Sequence, residues 1–241
     1  MRAVPHHLRP STPYAEDALL PGDPGRALAL AQQLLTEPRM SNHARGLWGY
    51  TGTTPEGRAL SIQSTGMGGP SAAIVLHELA ELGVRRAIRV GTCGALAEEL
   101  ERGDLVVVGE ALAEDGASRA LGAGEAARPD AELTARLASV ADDSTPATVV
   151  STDLFYEAPA DRQAGSATRT GAWRRRGAVA VEMEAASLFT LGSRLGLATA
   201  SVLVVVDSFS RGRRRRIGDQ QLAAAVQRMG AVAAAALGAE A

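Results

Sequence analysis

Short apolar runs alternate along this chain with stretches in which apolar residues return every three or four positions. The run Ala18-Leu19-Leu20 breaks at Pro21 and Gly22, after which Leu28, Ala31, Leu34 and Leu35 line one face of a helix. Arg58 to Ser64 reads as a strand with Leu60 and Ile62 inward. A glycine turn follows from Thr65 to Ser71, then a helix from Ala72 to Leu82 ended by Gly83. Arg86 to Val90 predicts a short strand closed by Gly91-Thr92-Cys93-Gly94, and Asp104 to Val108 a further strand. The stretch Ala111 to Arg128 has no period and reads as loops and short strands. Ala131 to Val140 predicts a helix and Ala147 to Val150 a strand; a polar, Arg-rich loop then runs from Phe155 to Arg176. Val179 to Met183 leads into a helix from Glu184 to Leu195, ended by Gly196. Thr199 to Val206 is the clearest buried strand and ends at Asp207; a basic loop (Arg211 to Arg216) and an Ala-rich helix (Gln220 to Leu237) follow.

This alternation predicts an α/β fold: a single domain over residues 1–241, with a mixed, largely parallel central sheet flanked by helices. No linker or internal repeat divides it. Ligands in such folds gather at the carboxyl ends of strands. Here those ends carry Gly22, Gly66, Gly91, Phe155 and Asp207.

Composition narrows the chemistry. With 46% hydrophobic residues and a net charge of −2 over 241 residues, the chain is neither disordered nor basic enough to bind nucleic acid through bulk charge. The lone Cys93 excludes an intrachain disulfide and a cysteine zinc cluster. All 25 basic residues are Arg, which excludes a P-loop lysine, a Schiff-base lysine and a Ser-Lys dyad. The N-terminal residues lack a signal-peptide apolar core, and no apolar run approaches the roughly 20 residues that span a bilayer, so a cytoplasmic protein without membrane contact is expected.

Five constellations carry candidate chemistry. Gly22-Asp-Pro-Gly-Arg26 lies between a strand and a helix, where backbone N–H groups and an arginine can hold an anion; a turn with a solvated arginine is the plainer alternative. Arg89 lies within an apolar strand, where it needs an anionic ligand or an internal carboxylate. Gly66-Met-Gly-Gly-Pro-Ser71 permits close approach of a ligand, with Met67 as an apolar wall, or is simply a tight turn. Val181-Glu-Met-Glu184 places two carboxylates at a helix start, to bind hydroxyls or to complement the helix dipole. Asp207 at a strand end can serve as a partly desolvated acid or as a turn cap.

Taken in order, Leu20-Pro-Gly-Asp-Pro-Gly-Arg26, Arg45-Gly-Leu-Trp-Gly-Tyr-Thr-Gly52, Gly66-Met-Gly-Gly-Pro-Ser71, Arg89-Val-Gly-Thr-Cys-Gly94, Asp153-Leu-Phe-Tyr156 and Val181-Glu-Met-Glu-Ala-Ala186 resemble the nucleoside phosphorylase family, in the branch of hexameric purine nucleoside phosphorylases and uridine phosphorylases. The resemblance implies the nucleoside-phosphorylase-like fold and reversible phosphorolysis of purine nucleosides. Inorganic phosphate would be the co-substrate, with no metal or organic cofactor. It implies a phosphate site of Gly22, Arg26, Arg89 and Thr92, with Arg45 reaching in from a neighbouring subunit. Glu184 would hold the ribose hydroxyls, Met183 and Met67 would line the sugar, and His6 of the neighbour would meet its 5′ end. Phe155, Val181 and Glu182 would form the base pocket, and Asp207 would protonate the leaving purine. Uridine-specific members read uracil with a Gln and an Arg after the Phe; Arg162 and Gln163 are the right types in the wrong order, so purines are favoured. Purine members place an arginine beside the acid, for which Arg211 and Arg213 to Arg216 are candidates. The family assembles as a homohexamer built from dimers, the expectation here.

Overall fold

The computed structural model of this chain describes residues 5–142, 144–156, 166–210 and 213–238. β1 (Asp17–Leu20) passes through Pro21 and Gly22 into α1 (Pro24–Leu34), whose start is capped by the Asp23 carboxylate accepting the Arg26 N–H at 2.8 Å. An antiparallel meander follows: β2 (Thr36–Asn42), a 3₁₀ turn at Ala44–Gly46, β3 (Gly49–Thr53) and β4 (Ala59–Gln63). Then come α2 (Gly69–Glu81), β5 (Arg86–Ala95), β6 (Leu105–Glu114), α3 (Gly116–Ala120), β7 (Ala126–Ala127) and α4 (Ala131–Val140). β8 (Ala147–Thr152), α5 (Ser166–Arg175), β9 (Ala178–Glu182), α6 (Ala185–Leu195), β10 (Ala198–Ser210), β11 (Arg213–Arg216) and α7 (Asp219–Gly238) complete the described elements.

All the strands join one mixed sheet in the order β11-β10-β6-β8-β9-β5-β1-β4-β3-β2, with β7 beside β6. Parallel pairings form two blocks, β4-β1-β5-β10 and β6-β8-β9, and antiparallel pairings join them. Because β10 pairs with both β5 and β6, and β9 with both β5 and β8, the strands β5, β10, β6, β8 and β9 close into a ring. Inside the α6 face of this ring, Val106, Val108, Val149, Leu203 and Val205 pack with Phe189. α1, α4 and α7 cover another face around Leu30, Leu137 and Met229, while α2 and α6 bury Leu76, Leu79 and Leu188 against β1.

Five departures from the sequence expectation bear on the site. β5 does not stop at Val90 but runs through its glycines to Ala95, because β9 and β10 supply pairing partners on both sides. β2 and β3 carry mostly exposed or polar residues and give no apolar run to recognise. The middle stretch holds the second half of β6 and the short α3. Arg213–Arg216 is not a loop but a strand, held by backbone pairing to Ser210–Asp207, a force indifferent to its four arginines. α5 likewise occupies part of the span read as loop.

Gly69, at the start of α2, marks where three helices meet. A Cβ there would stand 2.5 Å from Ser187 Oγ and 2.9 Å from both Ala117 Cβ and Asp115 Oδ1. Asp115 is itself fixed, accepting from Ser118 N at 2.7 Å and from Ser187 Oγ at 2.8 Å. Gly69→Ala is therefore expected to cost about 1–3 kcal/mol of stability in urea unfolding, as overpacking against side chains that cannot retreat.

Candidate active site

β5 delivers the first charged group. Arg89 is a register partner of Leu20 in β1 and Ser201 in β10, so its backbone lies between two apolar strands. Its guanidinium folds back over the chain: a Cβ at Gly91 would stand 2.6 Å from Arg89 Cζ, so only glycine leaves room. The side chain is 4% exposed. Two carboxylates answer the buried charge: Nε donates to Glu182 Oε2 at 3.0 Å, and Nη2 lies 2.5 Å from Glu184 Oε2. Burial opposes the arginine charge, but Glu184 and Glu182 more than offset it and hold Arg89 above the ordinary arginine range.

Glu182 closes β9 and Glu184 opens α6. The Glu182 carboxylate accepts the backbone N–H groups of Glu184 and Ala185 at 2.9 and 3.0 Å, capping the helix, and takes a further hydrogen bond from the Ser151 hydroxyl. Burial pushes the Glu182 carboxyl up; Arg89 pulls it down and Glu184 pushes it up again. Glu184 is also held from the far side, where its Oε1 accepts the Gly68 N–H at 2.5 Å. Gly68 presents that N–H from φ +85°, a conformation in which a side chain would be strained.

Arg26, one turn into α1, lies beside this cluster. A Cβ at Gly22 would stand 3.1 Å from the Gly66 carbonyl oxygen and 3.9 Å from Arg26 Nη2, so the two glycine turns and the guanidinium share one corner. Burial and the neighbouring Arg89 lower the Arg26 pKa, against the pull of Asp23 and Glu184. Its Nη1 is buried and has no hydrogen-bond partner among the described residues. A buried guanidinium donor next to a second guanidinium, at a glycine turn with backbone N–H groups, suits an oxyanion. Thr92 stands half-buried three residues beyond Arg89 on β5.

Further along, Gly94 pairs with Val181 of β9 on one side and with Asp207 of β10 on the other, setting those two residues about 10 Å apart across three strands. Asp207 is 5% exposed. In the β10–β11 hairpin Arg216 stands directly across from Asp207, so the two side chains share a face. Val181 and Met183 are half-buried, whereas Met67 and Phe155 are exposed; Phe155 meets Tyr156 edge-on with ring centroids 4.9 Å apart. Arg211, Arg162 and Gln163 lie outside the described residues.

Two expected residues fall elsewhere. His6 and Arg45 line a surface cleft of about 380 Å³ with His7, Arg9, His43 and Ala44. The N-terminal segment is anchored there by Glu78 of α2, which accepts the N–H groups of His6, His7 and Leu8 at 2.7–3.1 Å and faces His7 Nδ1 at 2.8 Å. Glu78 stands ten residues along α2 from Gly68, roughly 15 Å up the helix from the Glu184 contact. Arg45 adopts φ +58°, a left-handed backbone uncommon for a side-chain-bearing residue. His6 and Arg45 thus share a cleft that Arg26, Arg89 and Glu184 do not line. Glu182, expected at the base, turns its carboxylate inward to Arg89 and the start of α6. Sequence reasoning missed Ser151, Glu78 and the Gly68 amide; Ser151 is one of three hydroxyl residues in β8, and nothing in the local pattern singles it out.

The pattern of the phosphorylase superfamily matches residues 16–239. The DeoD-type purine nucleoside phosphorylase of Clostridium novyi (strain NT) is 36% identical over 205 residues, covering 82% of this chain and 84% of that protein. Those of Alkaliphilus metalliredigens (strain QYMF) and Clostridium beijerinckii (strain ATCC 51743 / NCIMB 8052) are 35% and 34% identical, covering 86% and 90% of this chain and 88% and 91% of theirs.

Proposed function

Because the chain belongs to the phosphorylase superfamily, we propose that it is a purine nucleoside phosphorylase, converting a purine nucleoside and phosphate reversibly into free base and pentose 1-phosphate. The observation that carries the reading is the buried, partnerless Nη1 of Arg26 beside the Arg89–Glu184 pair. With Arg89 already engaged by two carboxylates, the buried Nη1 of Arg26 is the donor that draws the phosphate dianion in. Gly22 N–H, Thr92 and Arg89 complete its ligands.

The reaction forms a bond from a phosphate oxygen to C1′ as the C1′–N bond to the base breaks. Positive charge builds on the sugar, and the phosphate together with Glu184 stabilises it. Glu184 also accepts the ribose hydroxyls, with Met183 and Met67 against the sugar. The departing base takes a proton from Asp207, with Phe155 and Val181 at its faces. Neither a metal nor an organic cofactor enters any of these steps.

The cleft of His6 and Arg45 serves a neighbouring subunit: His6 is anchored at Glu78, roughly 15 Å along α2 from its own chain's Glu184 contact. Paired subunits exchange these residues, and a homohexamer of three such dimers is the assembly we propose, working in the cytoplasm.

Incubation with inosine, adenosine, guanosine and uridine, each with and without phosphate, tests the reaction. Purine release only with phosphate is expected; uracil release alone, or release without phosphate, would overturn the reading. Arg26→Ala should raise the phosphate KM about 50-fold, the size of a lost charge-assisted contact, with little change in the nucleoside KM. An unaltered phosphate KM would remove Arg26 from the site.

A further inference from the structure

The proposed mechanism uses Arg89 and Glu184 but leaves Glu182 and Ser151 with no task. Both are fully buried, and they stand in line across three neighbouring strands. Ser151 of β8 is the register partner of Glu182 of β9, and β9 pairs with β5, which carries Arg89. The Ser151 hydroxyl donates to Glu182 Oε1 and accepts the Ala186 N–H at 2.9 Å. Glu182 Oε2 takes the Arg89 Nε–H at 3.0 Å and the Glu184 N–H at 2.9 Å. Each acceptor and donor in this chain is engaged, so no link rotates independently of the next.

We infer that Ser151 and Glu182 are positioning residues that fix the Arg89 guanidinium for phosphate, with Ser151 acting through Glu182. A guanidinium is a planar fork, and one anchored at Nε has its remaining N–H groups set in direction. Glu182 provides that anchor. Its Oε1 is held from two sides, by the Ala185 N–H at 3.0 Å and by the Ser151 hydroxyl, the one side chain among the described residues that holds it there and itself tied to the first turn of α6. The same carboxylate receives the amide of Glu184, so the sugar ligand and the phosphate ligand are set from one point. Ser151 stands one residue before the end of β8, which is followed by the exposed segment carrying Phe155. The inference rests on the phosphorolysis reading, and its test separates the two.

The decisive measurement is the phosphate Kd of the free enzyme by calorimetry, paired with phosphate and inosine KM values. For Ser151→Ala, phosphate Kd and KM should rise about tenfold, the worth of one hydrogen bond to a charged group, and the inosine KM should change by no more than about twofold. Ser151→Cys, which retains a weak donor, should fall between wild type and alanine. Should the alanine variant fail to fold, the cysteine variant carries the test alone: a raised phosphate Kd supports the role, an unchanged one overturns it. Equal losses in both KM values with a lowered Tm would reduce Ser151 to a structural residue and overturn the inference. A wild-type enzyme that binds phosphate without turnover would remove the proposed reaction yet leave the Kd comparison intact; one that binds no phosphate would overturn both.

Discussion

Asp207→Asn should slow phosphorolysis of inosine by about 10²- to 10³-fold, the usual contribution of a positioned general acid. Asparagine fills nearly the same volume and accepts hydrogen bonds, so the hairpin, which is held by backbone pairing, should stay in place. What it lacks is a proton to give. Without one, the purine must leave as an anion, against the positive charge developing on the sugar. An N7-methylated purine nucleoside removes this requirement, because its base already bears the charge that protonation supplies. Its cleavage should therefore fall far less, and the ratio of the two rates is the diagnostic. Equal losses on both substrates would show that Asp207 only shapes the pocket.

Replacing Arg89 should have the largest effect on the protein itself. Arg89→Met leaves Glu182 and Glu184 buried with no cation between them. Removing one partner of a buried ion pair costs about 3–5 kcal/mol, because the remaining charge stays desolvated. The pH dependence has a definite sign. Burial already holds the Glu182 carboxyl above its ordinary value, and Arg89 is the group pulling it down. Without Arg89 the folded-state pKa rises further above the unfolded one. Such a group contributes stability below the unfolded pKa and loses it as pH rises through the folded pKa. The deficit of Arg89→Met in urea unfolding should thus be smaller near about pH 5 than near about pH 8. A deficit independent of pH would mean the carboxylates find other partners. Phosphate binding should be lost at both values.

The sequence made the chemistry legible wherever a residue type was out of place. An arginine in an apolar strand, two glutamates at a helix start and an aspartate after an apolar run each announced a group needing a partner; β10 continues past that aspartate to Ser210, and Arg89, Glu182 and Glu184 do partner one another. Of the two weighed readings of Arg89, anionic ligand or internal carboxylate, the structure shows the internal carboxylates, Glu182 and Glu184. What stayed hidden depended on pairing across the sheet. Gly91 to Gly94 looked like a turn because glycine is permissive in any local conformation, and only the strands on either side draw it into β5. Arg213–Arg216 has no intrinsic reason to extend; the turn back from β10 extends it. Ser151 carried no local signal of a role because its partners are 31 and 35 residues away.

The closed ring of strands also bears on how this scaffold can change. β5, β9 and β10 hold Arg89, Glu182 and Asp207, and none of these strands has a free edge along the ring where sequence can drift without breaking a neighbour's pairing. The exposed segment after β8, with Leu154, Phe155 and Tyr156, is under no such constraint. Mutation can therefore sample new bases and sugars there while the oxyanion half of the pocket is inherited unchanged, so that substrate range diverges among descendants faster than the reaction does.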